Sequence, residues 1–145
     1  MSQIDKLRAE AIRVLTILGV ISAIVLSVFA FLWGQPLYAG IAAVITIVPV
    51  GIAVTGVSNT NARIAMGATM PLYAALAVAV DSGSLWQMDM HMLFFAYLAT
   101  LAVLADWRVI IAASAVTAVH HIGLNFLAPA LVFPDGANFG RVLFH

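Results

Sequence analysis

The side chains best suited to chemistry in this chain are four histidines, His91, His120, His121 and His145, all in its C-terminal half. The string Met88-Asp89-Met90-His91-Met92 sets thioether, carboxylate and imidazole within about one and a half turns of a helix. Imidazole suits zinc, copper and haem iron, while thioethers select Cu(I). The chain has no cysteine, which excludes disulfides, thiolate nucleophiles and Cys-based zinc sites. Any metal must therefore use His, Met, Asp or Asn, and a buried site of this make-up favours copper slightly over zinc. There is no Gly-x-Ser-x-Gly, no His-Glu-x-x-His and no phosphate loop, and carboxylates are too few for a proton-pumping chain. Enzymatic activity is not expected.

Histidines need elements to hold them, and composition says what those are. The chain is 64% hydrophobic and 8% charged, far from the usage of soluble domains, and only lipid solvates such a surface. Hydrophobic runs predict membrane helices over residues 11–33, 37–54, 62–80, 88–105 and 109–126, with the start of a sixth at Phe139. The expected fold is thus all-α, a polytopic transmembrane bundle of five helices plus the beginning of a sixth. The first run is too long for a cleaved signal peptide and reads as a retained helix. Pro49 should kink the second helix and Pro71 interrupt the third, with Thr60 or Asn61 capping it. The cations are scattered and formal net charge is zero, so nucleic acid is not expected as a partner. Alternating the five helices puts Lys6, Arg8, Arg13, Arg63 and Arg108 on one side and only Arg141 on the other. By the positive-inside rule the first side, with the N-terminus, is cytoplasmic.

Depth then brings the histidines together. His120 and His121 stand 12 and 13 residues beyond Arg108, about 18 to 20 Å at 1.5 Å per residue. His91 stands 14 residues before Ala105, about 21 Å by the same rise. All three occupy the outer third of a core about 30 Å thick, and a sixth helix starting from that side would bring His145 into the same layer. On the fifth helix Ser114, Thr117, His121 and Asn125 form a polar stripe, whereas His120 aligns with Leu124 and Leu127. His121 is therefore the stronger ligand candidate. Plain readings stand beside these. A lone intramembrane His can hydrogen-bond across helices for about 1 kcal/mol, and Met88 and Met92 can be apolar filling. Asp89 can cap a helix, and Asn125 can satisfy backbone before Pro129. Asp106-Trp107-Arg108 reads as an interfacial anchor, or else as a corner coupling two helices. Small residues such as Gly51, Ala53 and Gly56, or Ala112, Ala113 and Ala115, should permit close helix packing.

The stretch Asp89-Met90-His91-Met92-x-Phe94-Phe95, then Asp106-Trp107-Arg108, then His120-His121-x-x-Leu124-Asn125 and the tail from Pro129 to His145 carry a resemblance. They resemble the N-terminal multi-helix membrane region of certain bacterial methyl-accepting chemotaxis proteins. Similar regions precede diguanylate cyclase output domains. The resemblance covers about residues 60–145. It implies one transmembrane sensor domain over residues 1–145, multi-pass in a bacterial inner membrane, forming the N-terminal part of a longer receptor. Expected partners are the lipid bilayer, a second copy in a homodimer, and a cytoplasmic signalling domain. The expected site is a copper or zinc ion on His91, His121 and His145, with His120 and Asp89 as further candidates and Asn125, Met88 and Met92 in support. The alternative is a b-type haem redox or gas sensor ligated by His91 and His121, walled by Trp86, Phe94 and Phe95. A small transporter or channel component is a third reading, and the lack of polar residues through the cytoplasmic half argues against it. The orientation is testable. A reporter enzyme active only in the cytoplasm should be active when fused after Asn61 or Trp107 and silent after Gly83; the opposite pattern overturns the assignment.

Overall fold

Each helix starts and stops where a local device allows it. In the computed structural model, which describes residues 2–144, a capping box opens the chain. Ser2 Oγ accepts from the Asp5 N–H at 3.2 Å while Asp5 Oδ2 takes the Ser2 N–H at 3.0 Å. Helix α1 (Gln3–Leu32) thus begins eight residues before the apolar run, because a cap and not hydropathy nucleates it. Its 30 residues span about 45 Å, more than a bilayer core, and its first turns carry Lys6 and Arg8. Gly34, at φ +70, makes the turn into α2 (Pro36–Thr55), whose proline occupies the first helical position. Asn59 caps α3 (Thr60–Val80) by accepting from the Ala62 N–H at 2.9 Å. The cap is thus one residue earlier than expected. Pro71 does not interrupt α3; it is buried, with Met70, Tyr73 and Ala74 packed into the core around it, and packing holds the helix where one hydrogen bond is lost.

The fourth span, Gln87–Leu104, is broken. It consists of α4 (Gln87–Met90), a break at His91, α5 (Met92–Leu101) and a 3-10 turn, Ala102–Leu104. Ala105 then takes the left-handed conformation at φ 47, the only described residue other than glycine to do so. Asp106 caps α6 (Trp107–Leu127), and after a 3-10 turn at Pro129–Leu131 the short α7 (Phe139–Phe144) begins where the apolar restart placed it. Among the described residues there is no strand, and five helical segments are long and apolar enough to cross a membrane. The fold is an all-α bundle.

Helix α3 is its axis: 72% of its apolar window is buried, against 17% for α2. Outward faces carry Val14, Ile24, Phe31, Ile47, Ile111 and Val119, all exposed, a surface suited to lipid. Close packing falls at other glycines than the sequence indicated. A Cβ at Gly51 or Gly56 would meet open space, whereas one at Gly67 would stand 2.6 Å from the Val109 carbonyl oxygen and one at Gly19 3.0 Å from the Tyr73 hydroxyl. These two glycines bring α6 and α1 against α3. Hydroxyls add ties: buried Thr16 Oγ1 donates to Pro49 O at 3.0 Å, and half-buried Ser22 Oγ meets Tyr97 Oη at 2.6 Å and Thr46 Oγ1 meets Tyr73 Oη at 2.9 Å.

The basic end is closed by ions. Asp106 accepts from the Arg108 N–H at 3.1 Å and from Arg63 Nε and Nη2 at 3.0 and 2.8 Å. Arg63 also donates to Ser58 O at 2.6 Å, and Arg8 donates to Leu104 O and Ala105 O at 3.0 and 2.8 Å. Desolvation disfavours the Asp106 carboxylate, yet the hydrogen bonds and charge of Arg63, with the Arg108 N–H, outweigh it and hold its pKa below the ordinary 3.8. A depressed carboxylate pKa stabilises fully above pH 3.8 and ceases to do so as pH falls through the folded value. Arg63→Ala should cost about 1 to 3 kcal/mol, since it removes two charge-assisted hydrogen bonds from the Asp106 carboxylate, and should flatten acid sensitivity below pH 3.8. Unfolding in detergent, followed by tryptophan fluorescence against pH, reads both; an unchanged midpoint contradicts the assignment.

Candidate functional site

At the end of the bundle opposite the Arg63 and Asp106 pair, the break between α4 and α5 presents His91 to α6. Four residues earlier the Gln87 carbonyl receives the His91 Nδ1 proton at 3.1 Å, and on α6 the Thr117 carbonyl receives that of His121 at 2.9 Å. A carbonyl can only accept. Both rings therefore carry a proton on Nδ1, and a backbone carbonyl fixes the orientation of each, as it commonly does for metal-ligating histidines. The two rings are buried with centroids 5.5 Å apart, tilted by 51°.

Aromatic rings pack this pair from two directions. Phe94 lies 6.3 Å from His91 and 5.2 Å from His121, while Phe133 stacks on His91 at 5.8 Å and 3°. His120 is buried behind them, edge-on to His121 at 5.1 Å and 5.2 Å from Phe94. Its Nε2 is buried without a hydrogen-bond partner among the described residues. Beside His91 and His121 a cavity of about 300 Å³ opens between α5 and α6, lined also by Met88, Met92, Ser114 and Thr117. Its remaining walls, with Phe95 and Ile122 at the exposed rim, are apolar.

The sequence candidates thus divide. His91, His121, Met88 and Met92 share one cavity, with Ser114 and Thr117 of the polar stripe. His120 adjoins it without lining it, and Asp89 is exposed and outside the lining. Asn125 is buried but does not orient an imidazole; its Oδ1 accepts the Asn138 N–H at 2.8 Å and so ties the tail to α6. His145 lies outside the described residues. Of the rings expected to wall a porphyrin, Phe94 packs on the histidines, Phe95 lines the cavity, and Trp86 is exposed. Among the described residues no three His, Cys, Asp or Glu side chains are grouped to hold a metal ion.

Sequence reasoning missed Gln87. It is fully buried; its Oε1 accepts the Gly83 N–H at 2.9 Å, and its Nε2 donates to Ala130 O at 2.8 Å, which Ser82 Oγ also reaches at 2.6 Å. One residue therefore fixes the loop before α4, the strap after α6 and, through its carbonyl, the His91 ring. The legible signal was an uncharged polar side chain four positions before a membrane histidine. Phe133 was missed because nothing in the loop after Pro129 marks it as buried.

Comparison of the chain with protein-family models, with characterised proteins and with solved structures finds no match. The site is read from its own geometry. Gln87→Leu keeps the bulk but orphans the Gly83 N–H, and should destabilise this end by about 1 to 3 kcal/mol. Hydrogen exchange in detergent should show lost protection at residues 83–91 and 128–133 with the Arg63 end unaffected. Unchanged protection would deny Gln87 this role.

Proposed function

We propose that this chain is a transmembrane sensory input domain that binds a metal ion, copper or zinc, through His91 and His121 and signals to an output domain on the basic side. The observation that carries the reading is the matched pair of imidazoles. Each is anchored through Nδ1 to the carbonyl four residues back, and both line one cavity within 5.5 Å of each other. Buried histidines in a membrane span are costly and mark function by default. His145, which sequence depth sets on the same side, is the further nitrogen donor in this reading, and His120 a neighbour that tunes the pair. A bare ion suits the spacing better than haem, because a porphyrin would have to separate rings that Phe94 and Phe133 already pack against.

The ion would supply a Lewis-acid link between α6 and the break before α5. What the residues do is hold two imidazoles in fixed orientation against largely apolar walls. Signalling then requires that occupancy favour one arrangement of these helices over another, since only a difference in affinity between two states shifts a population. Location in a bacterial inner membrane with the basic end in the cytoplasm belongs to the same proposal, supported by the distribution of Lys and Arg.

Elemental analysis of the protein purified in detergent tests the reading, together with an absorption spectrum. Wild type should hold about one metal per chain with no Soret band. His91→Ala and His121→Ala should lose it, whereas His120→Ala should keep most of it with affinity changed by about 10 to 100-fold at most. Equal metal content in all three variants would falsify the site, and a Soret band would move the assignment to haem.

A further inference from the structure

We propose that the crevice between α5 and α6 is a binding slot for one acyl chain of a phospholipid from the leaflet on the histidine side. The inference goes beyond the metal reading and does not rest on it. It uses the shape and opening of the cavity and asks nothing of the imidazole nitrogens.

Shape is the first argument. The cavity of about 300 Å³ runs along the fourth span from Met88 to Leu98 and along α6 from Ser114 to Ile122, a length of about 12 to 15 Å by the helical rise. Its inner end, at Leu98 and Ser114, stands about 10 Å from the inner ends of the two spans at Leu104 and Trp107. In a core about 30 Å thick the slot therefore covers the depth at which the chains of one leaflet run. Averaged over its length, its section is about 20 to 25 Å². That is the girth of a single hydrocarbon chain, and too narrow for a fused ring system.

The opening points to the same occupant. Phe95, Ala118 and Ile122 on the walls are exposed, as are Ile111, Val119 and Phe126 beside them on α6. The slot thus opens sideways onto an apolar surface at membrane depth, and a ligand reaches it by lateral diffusion in the bilayer. Thr117 Oγ1 donates to Ala113 O at 2.9 Å, and both Nδ1 protons go to helix carbonyls. Walls whose polar hydrogens are spent in this way suit a hydrocarbon chain better than a ligand that must be hydrogen-bonded. Walls without facing atoms forfeit dispersion contacts, and between membrane helices packing, not the hydrophobic effect, decides what fills a gap. The ties of α6 at Gly67 and at Asp106 are to α3, so the gap toward α5 is left for a lipid chain to fill.

The test uses the full chain in phosphatidylcholine vesicles containing a small fraction of the same lipid with a diazirine in its acyl chain. After illumination, peptide mass spectrometry locates the label. Labelling at Phe95, Leu98, Ala118 and Ile122 should exceed that at Val28 and Val44, exposed on α1 and α2, by about fivefold or more. It should also saturate as the labelled fraction rises, which the outer faces should not. Ala118→Phe, which sets a ring in the slot, should remove the excess and leave Val28 and Val44 labelled as before, showing that the variant is inserted. Labelling spread evenly over slot and outer faces overturns the proposal, a result read on wild type alone. So does label that an isoprenoid quinone displaces and unlabelled phosphatidylcholine does not, or a slot shielded by cross-linking to a second copy. Metal content measured in parallel separates the two readings: metal without slot labelling sinks this inference alone, and slot labelling without metal sinks the histidine site alone.

Discussion

The backbone contact between α3 and α6 at Gly67 and Val109 is the constraint on which the site depends. A side chain at position 67 would stand 2.6 Å from the Val109 carbonyl oxygen and 2.8 Å from its Cγ1, so the α3 backbone sits directly against Val109. One turn earlier on the same face of α3, Arg63 grips Asp106, the cap of α6. Two contacts a turn apart fix both the height of α6 and its rotation. Rotation matters because neighbouring residues differ by about 100° around a helix. It is what makes His121, and not His120, line the cavity about 20 Å further on.

Its partner is held differently. The fourth span is short of a continuous helix at both ends, broken at His91 and finished by a 3-10 turn and the left-handed Ala105. Neither end is left to itself. Gln87 clamps the loop and strap around α4, and Arg8 takes the carbonyls of Leu104 and Ala105. In lipid, backbone groups freed by a break must find partners within the protein, and these long polar side chains supply them. His91 uses the carbonyl of Gln87 as His121 in the unbroken α6 uses that of Thr117, while Phe94 and Tyr97 lie on the buried face of α5.

The spans were legible in the sequence because hydropathy is a local property; so was the common depth of His91 and His121, which needs only the rise of a helix. The polar stripe of Ser114, Thr117 and His121 was legible for the same reason, and all three line the cavity. What was hidden depends on residues far apart in the chain. Arg63 and Asp106 are 43 positions apart, as are Gln87 and Ala130, and no periodicity links them. Gly67 looked no different from Gly51 until the helix it faces was in place. The start of α1 was missed in the other direction, since a capping box can begin a helix in residues too polar for a membrane.

The two ends of the bundle follow opposite electrostatic rules, and the connection between them gives the site its reach. At the basic end ions pair with ions and with carbonyls; at the histidine end imidazoles and aromatic rings pack on one another. The imidazoles sit on the far ends of α5 and α6, and these helices meet again at the corner of Ala105 and Asp106. Any change in the separation of His91 and His121 is therefore a change in the angle of a two-legged frame whose apex is that corner. The apex is tied to α1 through Arg8 and to α3 through Arg63. Through Arg8 the apex meets the first turns of α1, which extend beyond the length of a bilayer core. The histidine end is thus joined to the charged, solvent-facing end by two arginines at the corner between α5 and α6.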